Sequence, residues 1–194
     1  MQWGRIAEIM NNFELRAVPC AFNLLLVAAA PAFATVVDIA STGFTVQVAA
    51  HISAPPKKVY TTLIKPSHWW ASEHTFSGDA ANLTLDAKAN GCWCEKLANG
   101  GAAVHMTVVH VDPGKGLTLR GALGPFQNYG VEGAMTWTLK ASGDGTDLSL
   151  TYALGGYFKD GTAQWSKGAD GVLTDQVMRL KRLLETGSPE QRGQ

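Results

Sequence analysis

The chain has 194 residues, 46% of them hydrophobic and only 16% charged. That is enough apolar material for one domain of ordinary size with a buried core, and too little charge for a disordered chain. The 16 Lys and Arg balance 16 Asp and Glu, so the basic footprint of a nucleic-acid binder or an anionic-membrane binder is missing, and three cysteines, Cys20, Cys92 and Cys94, are too few for a disulfide scaffold.

The N-terminal region reads as an export signal. From Val18 to Ala34 the chain runs VPCAFNLLLVAAAPAFA, preceded by Arg16 and ending in Ala32-Phe33-Ala34, the small-x-small form of a signal-peptidase site. The pattern predicts a signal peptide over 1–34, cleaved before Thr35, and a periplasmic or secreted product without a stable membrane anchor, because the apolar run is too short and too rich in Ala and Pro to span a bilayer. Met10 is a second candidate start. Cys92 and Cys94 would then work in an oxidising compartment.

After a short lead over 35–42, Phe44, Val46, Val48, Ala50 and Ile52 alternate with polar or small neighbours, which predicts a one-face-buried strand over about 43–53. Ser53-Ala54-Pro55-Pro56 ends it, and Lys57 to Ile64 reads as a short helix opened by proline. Pro66 stops that helix, leaving His68-Trp69-Trp70 a turn or so of helix. A meander follows, with Leu83/Leu85, Trp93/Leu97, Val104/Met106/Val108 and Leu117/Leu119 on successive strands, punctuated by Asn99-Gly100-Gly101 and by Asp112-Pro113-Gly114-Lys115-Gly116. Beyond a Gly-rich loop over 121–133, Met135/Trp137/Leu139 and Leu148/Leu150/Tyr152/Leu154 flank Ser142-Gly143-Asp144-Gly145, a hairpin signal. The period then changes to 3.6: Trp165, Ala169, Val172, Leu173, Val177, Leu180, Leu183 and Leu184 make one apolar stripe on a helix from about Thr162 to Glu185. Gly187-Ser188-Pro189 ends it, and 187–194 is expected to be a disordered tail.

The order strand, short helices, about six strands, long helix predicts an α+β fold in which one curved antiparallel sheet of about seven strands covers the helix stripe. This layout resembles the START-related SRPBCC superfamily, the group of birch-allergen-like proteins, polyketide cyclases and chaperone-ATPase activators. The resemblance rests on Ala54-Pro55-Pro56-Lys57-Lys58-Val59-Tyr60, Trp69-Trp70, Asn90-Gly91-Cys92-Trp93, Val111-Asp112-Pro113-Gly114 and the terminal helix, and covers about 43–186. It implies a helix-grip fold with a cavity between sheet and helix, often for an apolar ligand. It does not choose among carrier, enzyme and protein-interaction module.

Strand alternation places Trp93 and Leu97 inward, and Glu95 between them must follow. A carboxylate in an apolar cavity needs a partner or stays protonated, so desolvation is expected to raise its pKa. Cys92 and Cys94 share the opposite face, and a tight turn through Asn99-Gly100 would bring His105 opposite Cys94. Two thiolates and an imidazole could begin a zinc site, but no fourth ligand is apparent and structural cysteines are the expectation, with no metal. A bond between the two cysteines would need a bulge. His68, Trp69, Trp70 and His74 lie where the resemblance implies the cavity mouth, the indoles as core or lid and His74 as a rim residue. The apolar loop Gly121 to Gly130, with Leu123, Phe126 and Tyr129, has the character of a gate. No P-loop, nucleophile elbow or H-E-x-x-H motif occurs, and no cofactor is implied.

These observations lead to an exported binding or carrier protein for a small apolar or aromatic molecule, its cavity lined by Trp93, Met106, Trp137, Tyr152 and the helix stripe, with Trp70, His74, Glu95, Phe126 and Tyr129 as further contacts. The alternative is a cyclase- or lyase-type enzyme using Glu95 as acid/base with His74 or Tyr152 assisting. An interaction module of the chaperone-activator kind conflicts with export, since that partner is cytosolic.

Overall fold

The computed structural model describes residues 33–159 and 161–191. Residues 1–32, which carry the apolar segment of the expected export signal, lie outside them. Eight strands, β1 (Phe33–Ala40), β2 (Gly43–Ile52), β3 (Leu83–Leu85), β4 (Cys92–Lys96), β5 (Ala102–Asp112), β6 (Gly116–Arg120), β7 (Gly130–Ser142) and β8 (Gly145–Tyr157), form one antiparallel sheet in the order β1-β2-β8-β7-β6-β5-β4-β3. Two helices complete the fold, α1 (Pro56–Leu63) and α2 (Ala163–Thr186). This is the α+β helix-grip architecture expected from the sequence, with one strand more: the lead to the first predicted strand itself pairs with β2, Thr35 opposite Gln47 and Ile39 opposite Phe44.

The turns follow their residues. Asn99 (φ 57°) and Gly100 (φ 79°) take the left-handed conformations that let β4 reverse into β5, as Asn-Gly does at low steric cost. Ser142 and Gly145 pair across a two-residue turn with Gly143 at φ 57°. Glycine is required at Gly121: φ is 143°, and a Cβ would stand 2.8 Å from the His105 carbonyl oxygen. There the chain leaves β6 and enters the loop that becomes the short 3₁₀ segment Gly124–Asn128, so the Gly-rich loop ends at Gly130 rather than Gly133.

Alternation sends one face of every long strand to α2. Val46, Val48, Ile52, Leu117, Leu119, Met135, Leu148, Leu150 and Tyr152 are all within 1% of full burial, each such side chain contributing about 1.5–3 kcal/mol of transfer free energy. The helix answers with Leu173, Val177, Leu180 and Leu184. Two polar residues of α2 tie it to the turn after α1 and to the chain's end. Gln176 Oε1 accepts the Ala71 N–H at 2.8 Å, and Arg179 Nε donates to the Trp69 carbonyl at 2.9 Å. The Arg179 guanidinium also grips Glu190 with both terminal nitrogens. The described part of the tail, 187–191, turns back onto α2 through the left-handed cap Gly187 (φ 82°).

Candidate functional site

Between the N-terminal half of α2 and the sheet lies a cavity of about 330 Å³. The turn after α1 supplies one wall, with Trp70 deep and Glu73, His74, Thr75 and Phe76 along the rim. The loop before β7 supplies a second wall, Leu123, Gly124, Pro125 and Phe126. α2 closes the third with Trp165, Gly168, Ala169, Val172 and Leu173, and Tyr152 of β8 forms the floor. The gate-like loop is clasped to the helix edge-on: Trp165 meets Phe126 at 5.4 Å and Tyr129 at 5.2 Å between ring centroids.

Beside the cavity, tryptophans fill the space between sheet and helix. Trp69 packs edge-to-face on Trp70 (5.5 Å) and Trp137 (6.0 Å), and Trp70 on Trp93 (5.0 Å), geometries that aromatic quadrupoles favour. The Trp69 indole N–H reaches the Thr62 and Leu63 carbonyls at the end of α1, and that of Trp70 donates to the His74 carbonyl. Hence Trp93, Met106 and Trp137, which the sequence places on the cavity wall, are core behind Trp70. Of the nine expected contacts, Trp70, His74, Phe126 and Tyr152 line the cavity. Tyr129 backs Trp165 from outside, and Glu95 is not on the lining.

Tyr152 is the polar group at the floor. It is 1% exposed, and its hydroxyl oxygen accepts the Leu123 N–H at 3.1 Å. Burial pushes its phenol far above its ordinary value, so it remains protonated.

Glu95 points inward as alternation requires, with 1% of its surface exposed, but into a polar cage. Its Oε2 accepts from Phe76 N–H at 3.1 Å and lies 2.8 Å from His105 Nε2, while Oε1 takes the Ser77 N–H. Burial opposes its charge most strongly. Hydrogen bonds from Ser77, His105 and Phe76 outweigh that penalty together and hold the carboxyl below its ordinary value. The expected upward shift is thus reversed, because strand pairing alone gives no sight of the two backbone N–H groups that a distant loop delivers. On the far side of His105, Gln127 Nε2 is 3.4 Å from Nδ1 and donates to the Val104 carbonyl.

The expected position of His105 is also corrected. The β4–β5 register shifts between Trp93, opposite Met106, and Cys94, opposite Val104, so His105 falls in a bulge and turns inward, away from the cysteine face. Cys92 and Cys94, half-buried on the outer face, are joined to each other in a disulfide with their Cα atoms 5.3 Å apart. Among the described residues no group of three His, Cys, Asp or Glu is placed to hold a metal ion.

Three features escaped the sequence: the rim Glu73-His74-Thr75-Phe76 as a unit, the open helical glycine Gly168, and the His105–Glu95 pair. The polar run Ser72 to Thr75 was a signal for the first. Nothing local signals the bulge.

A curved antiparallel sheet gripping one long helix over a largely apolar cavity defines a helix-grip protein of the START-like, SRPBCC class. Residues 43–185 match the family described as polyketide cyclase / dehydrase and lipid transport, and the chain belongs to that family, whose membership supports a ligand-binding or cyclase-like role. Solved structures share the fold. EF2215 of Enterococcus faecalis, a conserved protein of unknown function, is 18% identical with TM-score 0.57, over 82% of each chain. DynU16, from the dynemicin biosynthetic locus, is 25% identical with TM-score 0.51, over 75% of this chain and 48% of its own. The Aha1 dimer of Colwellia psychrerythraea is 18% identical with TM-score 0.50, over 74% and 97%. No curated protein matches the sequence.

Proposed function

We propose that the protein is an exported carrier or binding protein for a small apolar or aromatic molecule held in the Trp70–Tyr152–Trp165 cavity. The observation that carries this reading is the cavity itself: about 330 Å³, walled by aromatic and aliphatic side chains, with a single buried polar group, the Tyr152 hydroxyl. Ligand pockets combine such an apolar lining with a few orienting polar atoms. Export is supported by the small-x-small site before Thr35 and by the Cys92–Cys94 disulfide, which suits an oxidising compartment. Edman sequencing of the exported product should then begin at Thr35, inside β1.

A cyclase- or lyase-type reaction through Glu95 draws less support. Its carboxylate is committed to Phe76, Ser77 and His105 and stands off the cavity lining, and a general acid/base needs reach to the substrate. Helix position Gly168 offers the direct test, since a Cβ there meets nothing within 4 Å. Titration with the neutral fluorophore N-phenyl-1-naphthylamine should saturate at one per chain, and Gly168→Phe, which places a ring in the cavity, should lose at least 10-fold in affinity with an unchanged circular dichroism spectrum. Equal binding by both proteins would place the ligand elsewhere.

A further inference from the structure

We infer that the cavity selects uncharged molecules that carry a hydrogen-bond-accepting oxygen at the end that enters first, with Tyr152 as the donor that reads it. This rests on the cavity being the ligand site. The Tyr152 hydroxyl has one bond in the structure, accepted from the Leu123 N–H at 3.1 Å. Among the described residues nothing accepts its own proton, although the side chain is 1% exposed. A phenol can accept and donate at once, and burial keeps this one protonated. Its proton is therefore an unspent donor at the floor of an apolar chamber, where an unmade hydrogen bond is costly. A ligand oxygen arriving there would satisfy it.

The charge of that oxygen follows from what else lines the chamber. No Lys or Arg does, and the ionisable side chains besides Tyr152 are Glu73 and His74 on the exposed rim. A carboxylate or phosphate seated against Tyr152 would lose its hydration with no counter-charge and would pass Glu73 on entry, an unfavourable transfer. A ketone, quinone or amide oxygen loses far less. The same hydroxyl bonds the Leu123 N–H, at the start of the loop that forms one wall, so recognition and the seating of that wall share one atom. The site thus discriminates against free fatty acids and phospholipid headgroups entering polar end first.

The test uses the purified full chain and three probes of one shape: 2-acetylnaphthalene, 2-ethylnaphthalene and 2-naphthoate. The acetyl compound should bind about 3- to 10-fold more tightly than the ethyl compound, the range of one buried neutral hydrogen bond, and naphthoate weakest. Tyr152→Phe should bring the acetyl and ethyl compounds to equal affinity, whatever the loss of the Leu123 contact does to both. Should that variant fail to fold, infrared spectroscopy of carbonyl-labelled acetylnaphthalene on the native protein decides: a red-shifted stretch relative to a hydrocarbon solvent supports the donor, and an unshifted one overturns it. Equal affinity for acetyl and ethyl probes, or tightest binding of naphthoate, overturns the inference and leaves the cavity reading standing. Binding of none of the three overturns both.

Discussion

Glu95 Oε2 and His105 Nε2 lie 2.8 Å apart in the interior although their strands pair Glu95 with Ala103, not with His105. Glu95 also reaches across to the Phe76 and Ser77 N–H groups, so one carboxylate joins β4, β5 and the rim of the cavity. It works as a strut between the sheet and a loop that has no strand of its own.

Removing the charge should loosen that strut. Because the folded-state pKa of Glu95 is depressed, its contribution is complete above the ordinary carboxylate range and is lost as pH falls through the folded value. Glu95→Gln should cost about 1–3 kcal/mol near neutral pH, read from urea midpoints, and the gap to the native protein should narrow on acidification. A gap that is independent of pH would show that shape, not charge, matters there.

Asp170 of α2 carries the opposite sign. Its Oδ1 is buried with no hydrogen-bond partner among the described residues, and burial raises its pKa. Its penalty is absent in acid, sets in as pH rises past the ordinary carboxylate value and is full above the folded one. Asp170→Asn should raise stability at neutral pH by about 1 kcal/mol and have no effect in acid. Thermal melts at several pH values measure this, and destabilisation at neutral pH would reveal an unseen partner.

The Cys92–Cys94 disulfide spans two positions, so it restrains little of the unfolded chain. Replacing both cysteines by Ala should cost less than about 2 kcal/mol overall, the low end for disulfides. What it fixes is local. Released from the constraint, the bulge beside His105 should open more often, and the amide protons of Phe76 and Ser77 should exchange measurably faster. Unchanged exchange at those two amides would separate the disulfide from the rim.

Arg179 and Glu190 should respond unequally, although they form one pair. Arg179 is 8% exposed and also donates to the Trp69 carbonyl, so Arg179→Met leaves a buried acceptor unmet and should cost about 1–3 kcal/mol. Glu190→Gln removes only a partner whose side chain is 67% exposed and should cost under about 1 kcal/mol. Equal losses in denaturant titrations would mean that the returning tail, not the Trp69 contact, supports the turn.

Periodicity alone determined that a one-face-buried sheet meets an amphipathic helix, and placed β2 and both helices within a residue or two. Period two and period 3.6 are properties of a single segment, and so are the Asn-Gly and Gly-Asp-Gly turns. Alternation also sent Glu95 inward correctly. What lies beside an inward residue is a different matter, because it depends on segments far apart in the chain. Only the tertiary structure decided that four indoles pack together and exile Trp93, Met106 and Trp137 from the cavity. Only it showed that a one-residue bulge reverses His105, and that two N–H groups from a loop 18 and 19 residues away turn the expected rise in the Glu95 pKa into a fall. Faces are set by local geometry, whereas cavities, cages and their electrostatics arise where non-local surfaces compete for the same volume.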